Sequence, residues 1–192
     1  IIYRYDVMKR RAYDADIITN VYNVKDGQDF YEKMFLINKS PFVKHQYAIF
    51  LLRKKQFDLA WKQIDQAYTE SEKKVFTIAN THAVIMFEMN IGAEANSDKE
   101  LYLLKETMQK SFSTLEYCIT QDVRINYHAL IYARNTIRYY ERFGDDQYSE
   151  KYIDSSISQL EEILHRDEYM YYKIKMELKQ LLMKLKQIKG IL

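Results

Sequence analysis

Four histidines, His45, His82, His128 and His165, and one thiol, Cys118, are the side chains in this 192-residue sequence best suited to metal or nucleophile chemistry. No two histidines stand four apart and none neighbours the cysteine, so the spacings that hold zinc are missing. Each histidine reads as a structural residue on a helix. Cys118, between Tyr117 and Ile119, reads as core filler. No glycine-rich loop precedes a Lys-Ser or Lys-Thr pair, and no glycine-flanked nucleophile occurs. The carboxylate neighbours Glu161-Glu162 and Asp145-Asp146 fall in helix or turn contexts where solvation explains them without acid-base work. We expect no catalytic residue, no metal site and no cofactor, and we do not expect this segment to be an enzyme.

Binding chemistry has more to stand on. At 100° per residue, Arg124, His128, Asn135, Arg138 and Arg142 fall within about 80° of one another on one helix. Such a stripe either holds a carboxylate or phosphate through charge-assisted bonds or is a solvated arginine face. Near the C-terminus Lys173, Lys175, Lys179, Lys184, Lys186 and Lys189 stand against Glu177 alone, a net +5. With the whole chain at +2, the first 168 residues carry −3. This asymmetry fits either contact with an acidic partner or nucleic acid, or a capping helix with a solvated outer face.

The elements that position these residues are helices. Four Gly and one Pro are too few for the turns of an all-β fold, while 47% hydrophobic and 29% charged residues suffice for a core. The expected class is all-α. One cysteine excludes an internal disulfide and fits a reducing, cytoplasmic setting. The longest apolar run, Tyr47 to Leu52, is too short to span a bilayer, so no membrane partner is expected. An opening on Ile1 rather than Met suggests part of a longer protein.

Periodicity divides the chain into about nine helices. The first runs from about Tyr5 to Asn23, with Val7, Ala12, Ala15, Ile18 and Tyr22 on one face. Asp26-Gly27 breaks the pattern, and a second, from about Gln28 to Asn38, buries Phe30, Met34, Phe35 and Ile37. Ser40-Pro41 starts a third, as Ser before Pro at the first helical position does. A fourth carries Phe57, Ala60, Ile64 and Ala67 as one stripe. A fifth covers about Val75 to Asn90, residues 91 to 99 form a loop, and longer helices follow to Ile119, Phe143 and His165. The seventh closes at Gly144 and is apolar on two faces: Tyr127, Leu130 and Ile137; Ile125, Ala129, Ala133 and Tyr140. The last, from Tyr169 to Leu192, spaces Tyr171, Ile174, Leu178, Leu181, Leu185 and Ile188 by threes and fours, the seam of a packed helix pair or of self-association.

In the third and fourth helices Ala48, Leu51, Phe57, Ala60, Ile64 and Ala67 hold the offsets of one helix-turn-helix unit, and Ala83 follows Ala48 by 35 residues. This pattern resembles the tetratricopeptide repeat. It departs from the repeat at Lys44, where an aromatic is usual, and near Lys55, where the turn usually has Gly. The resemblance implies stacked antiparallel helix pairs, a solenoid, from 41 to 192 with 169–192 as its cap, and a degenerate pair or the end of a preceding domain over 1–40. It also implies a concave groove for a protein or peptide, lined by His45, Ile49, Leu52 and Arg53 with Asn80, Val84 and Phe87. Residues Ser40 to Asp65 are also similar to repeats that follow the nucleotide-binding core of STAND-type NTPases, antiviral ones included, which implies a sensor role. The alternative is a nucleic-acid-binding repeat protein using the arginine stripe and the last helix.

Overall fold

The computed structural model describes residues 14–122, 125–166 and 170–191. Among these it is all-α: nine helices and no strand. The chain forms two compact units, the first ending at Met89 and the second beginning at Asn90.

In the first unit α1 (Ala15–Val21) starts where Asp14 caps it, its carboxylate accepting from the Asp16 amide at 2.8 Å. This start corrects the expectation of one helix running on from Tyr5; residues 1–13 lie outside the described residues. α2 (Val24–Ile37), by contrast, starts earlier than expected, because Asn23 caps it and accepts from the Asp26 amide. Gly27 is therefore not a breaker. It lies buried inside α2, where any Cβ would overlap the Phe50 ring. Tyr31, which sequence periodicity passed over, is the fully buried residue of α2, while Ile37 is exposed. Tyr31 stacks on Tyr47 at 4.8 Å and approaches Phe50, so an aromatic cluster joins α2 to α3.

α3 (Pro41–Arg53) and α4 (Phe57–Glu70) form the helix pair that the sequence marks best. Ser40 caps and Pro41 occupies the first turn. Ala48, Ala60, Ile64 and Ala67 are fully buried, which lets the axes approach. An ion pair from Lys44, early in α3, to Glu70, at the end of α4, fixes the pair as antiparallel. The turn forms without glycine. Lys55 adopts φ +58°, and the Lys55 and Gln56 amides bond back to the Leu52 and Leu51 carbonyls, the double bond of a left-handed C-cap. α5 (Phe76–Ile91) then covers the pair. Its Thr81 meets His45 of α3, and its His82 sits between Trp61 and Tyr68 of α4, ring centroids 4.6 and 4.3 Å away.

The second unit holds α6 (Asp98–Gln121), α7 (Ile125–Phe143), α8 (Gln147–Arg166) and α9 (Tyr172–Lys189). Ser97 caps α6, accepting from the Glu100 amide. Phe112 of α6 centres the core, stacked on Tyr152 at 3.8 Å with Tyr132 and Tyr139 edge-on. The phenol hydroxyls reach carboxylates: Tyr132 donates to Glu116 at 2.7 Å and Tyr139 to Asp146 at 3.4 Å. Gly144, at φ +69°, ends α7 as expected. Asp146 is no solvated turn residue. It accepts from the Tyr148 and Ser149 amides at the start of α8 and from Lys105 at 2.6 Å. Tyr127, expected inward, is exposed.

α9 packs on α7 and α8 through Leu178 and Leu185, both fully buried, at about 1.5–3 kcal/mol each. Three of its six lysines are engaged and form no free outer face. Lys184 pairs with Glu141 and Lys186 with Glu161, both at 2.6 Å, and Lys189 pairs with Asp154, while Glu177 meets Arg134. Those pairs run from Glu177 to Lys189 only. The expected seam therefore fails at its N-terminal end, where Tyr171 is 70% and Ile174 37% exposed; Tyr169 lies outside the described residues.

Candidate protein-binding surface

Three of the seven residues that the repeat resemblance assigns to a groove lie in the interior. His45 is buried with Nε2 2.8 Å from the Thr81 hydroxyl, and burial lowers its pKa to about 4, so it is neutral at pH 7. Because the Thr81 hydroxyl donates to the Thr77 carbonyl, it accepts from His45, which fixes the Nε2–H tautomer. Asn80 and Phe87 are also buried. Ile49 and Leu52 pack half-buried against the core of the first unit, and Val84 is half-buried. Only Arg53 is exposed, and it pairs with Asp16 of α1. The physical reason is that α3 and α5 touch directly through His45 and Thr81, which closes the face between them.

The arginine stripe is also not an open surface. His128 is buried on Asp122 at 2.8 Å, and Asn135 is buried with its Nδ2 unpartnered. Arg142 donates to the carbonyls of Asn90, at 2.5 Å, and Ala93, so it ties α7 to the segment that enters the second unit. Arg138 is half-buried, and Arg124 lies outside the described residues. The angular spacing is right, but it selects a face of α7 that is partly interior. Cys118 is buried, and no cluster of three or more His, Cys, Asp or Glu among the described residues could hold a metal ion. No helix among them is long and apolar enough to cross a membrane.

A different surface is open. Phe35, Lys39, Lys44, Lys62, Gln63, Gln66 and Glu70 line a cleft of about 470 Å³ across the end of α2, the start of α3 and the outward side of α4. The buried stripe Ala60, Ile64 and Ala67 turns α4 so that Lys62, Gln66 and Glu70, four apart, share a lane with Gln63 beside it. Phe35, half-buried with its ring 5.8 Å from Tyr47, supplies an apolar wall. Lys44 is held by Glu70, whereas Lys39 and Lys62 are exposed and make no ion pair among the described residues. Three ammonium groups against one carboxylate leave the cleft net positive. The two glutamines can both donate to and accept from a peptide backbone. The lining has no histidine, cysteine or serine; its polar groups are lysine, glutamine and glutamate side chains suited to holding a ligand. In the sequence the only signal for this site is the polar lane on α4. A comparison of the chain with protein-family models, curated proteins and solved structures finds no match.

Proposed function

We propose that the chain is a tetratricopeptide-like interaction module, and that the cleft on α2, α3 and α4 holds an acidic stretch of a protein or peptide partner. The observation that carries this reading is the cleft itself: open, lysine- and glutamine-lined, and beside a helix pair whose interior is rigidly filled. The sensor role in a STAND-type antiviral NTPase rests only on the resemblance of Ser40 to Asp65, and a nucleotide-binding domain in the full-length gene would be its test. We do not extend the proposal to nucleic acid, because Lys184, Lys186, Lys189 and Arg142 are engaged within the chain and leave only Lys173, Lys175 and Lys179 of the basic last helix unpaired among the described residues.

The test is fluorescence anisotropy with a labelled glutamate-rich peptide. Lys39→Glu with Lys62→Glu should weaken binding by about tenfold or more while leaving helicity unchanged. Equal binding by the double variant would remove the cleft as the site. Tight binding to nonspecific duplex DNA that falls steeply with salt would redirect the function to nucleic acid.

A further inference from the structure

The last helix carries two lanes, and only one is filled. Leu178 and Leu185, seven apart, are fully buried, while Met176 and Met183, also seven apart, stand on the opposite side at 38% and 56% exposure. Tyr172, 75% exposed, extends the outer lane by one turn, and Lys179 completes its spacing of four, three and four. Thioether side chains suit a surface that must adapt to a partner helix. The unpaired charges beside the lane have one sign. Lys173 and Lys175 flank it with Lys179 in line, and none of the three makes an ion pair among the described residues; Glu177 is turned to Arg134.

We infer that the outward lane of α9 is a second docking surface, and that it takes an amphipathic helix with acidic flanks. Charge decides the occupant. A second copy would set lysine against lysine across the seam, whereas glutamates flanking the apolar stripe of a partner would meet Lys173, Lys175 and Lys179 and fix its register. Met176 and Met183 would fill the partner's apolar stripe, with Tyr172 at the end of the contact. This surface belongs to the second unit and does not depend on the cleft.

The experiment uses the full chain and two designed helical peptides with the same leucine stripe, one flanked by glutamates and one by lysines. The glutamate-flanked peptide should bind, weaken with added salt, and lose at least about tenfold in affinity with Met176→Glu and Met183→Glu combined. Lys39→Glu with Lys62→Glu should leave it unchanged, which separates this surface from the cleft. Absence of binding, or equal binding of the lysine-flanked peptide, would overturn the inference. So would a concentration-dependent dimer that Met183→Glu dissolves, which would assign the lane to a second copy. Binding of the chain to vesicles of anionic lipid through Met176 and Met183, with no binding of either peptide, would assign it to a membrane surface.

Discussion

The two units solve the same packing problem with different chemistry. In the first, α3 is surrounded by Tyr31, Ala60, Ile64, Ala67 and Ile78, and the polar groups taken inside are His45, neutral and held by one hydroxyl, and His82, slotted between two rings. In the second, the rings at the centre are mostly tyrosines, and the hydroxyls of Tyr132 and Tyr139 reach Glu116 and Asp146, with Thr136 and Ser156 sharing a bond at 2.9 Å. The first core is sensitive to volume and to acid; the second depends on rings joined to carboxylates. One helical class, read from one kind of periodicity, does not fix how an interior responds to stress.

The sharpest break is Phe112→Ala. It removes the ring on which Tyr132, Tyr139 and Tyr152 converge and should destabilise the second unit by about 3–5 kcal/mol. Hydrogen exchange should show lost protection in α6 to α8, while fluorescence of Trp61, the only tryptophan, reports the first unit unchanged.

Acid should act in the opposite sense. His45 has a folded pKa of about 4, below the ordinary value of 6.5, and burial lowers His82 also, although Asp65 opposes the shift. An unfolded chain therefore takes up these protons first. The stability of the first unit is complete above about pH 6.5 and falls as pH drops toward 4, by about 3 kcal/mol for His45. Burial pushes Asp146 up, but Lys105 and the Ser149 and Tyr148 amides hold it below the ordinary 3.8. Its contribution to the second unit thus persists until pH falls below that value. The Trp61 signal should change in the pH 6.5–4 window, and His45→Gln should flatten that slope.

Ala60→Leu probes volume. It forces a larger side chain between α3 and α4 at a fully buried position and should cost about 1–3 kcal/mol, read as a lower midpoint in urea by Trp61 fluorescence. An unchanged midpoint would mean that the pair tolerates a wider separation than its small residues indicate.

The α3–α4 pair was legible because its signals are local: Ser40-Pro41 at the start and Ala60, Ile64 and Ala67 on one stripe. Gly27 was misread as a stop because its reason for being glycine is Phe50, far along the chain. The partners of the α9 lysines were invisible for the same reason, since Glu141 stands 43 residues from Lys184 and Asp154 35 residues from Lys189. The cleft escaped notice because Lys39 and Lys62 look like ordinary surface residues until α2, α3 and α4 bring them together. His128 and Asn135 share a face of α7 by periodicity, but that face is interior there, and periodicity cannot say which neighbour covers it.

The smallest expected effect comes from the turns, where the two units differ by a single residue type. Lys55 and Gly144 both follow a helix in the left-handed region, at φ +58° and +69°. Glycine, which has no Cβ, adopts that region without crowding the backbone, whereas Lys55 carries a local strain that the Schellman bonds to Leu51 and Leu52 hold in place. Lys55→Gly removes the strain but gives the unfolded chain more freedom, which offsets part of the gain. The net should be a stabilisation of about 0.5–1 kcal/mol, a rise of about 2–8 °C in the Tm read by Trp61. Gly144→Lys should do the reverse in the second unit, since open space around Gly144 leaves the backbone conformation as its cost. If Lys55→Gly lowered the Tm instead, the Lys55 side chain would be making a contact worth more than the strain, and the comparison of the two turns would fail at that position.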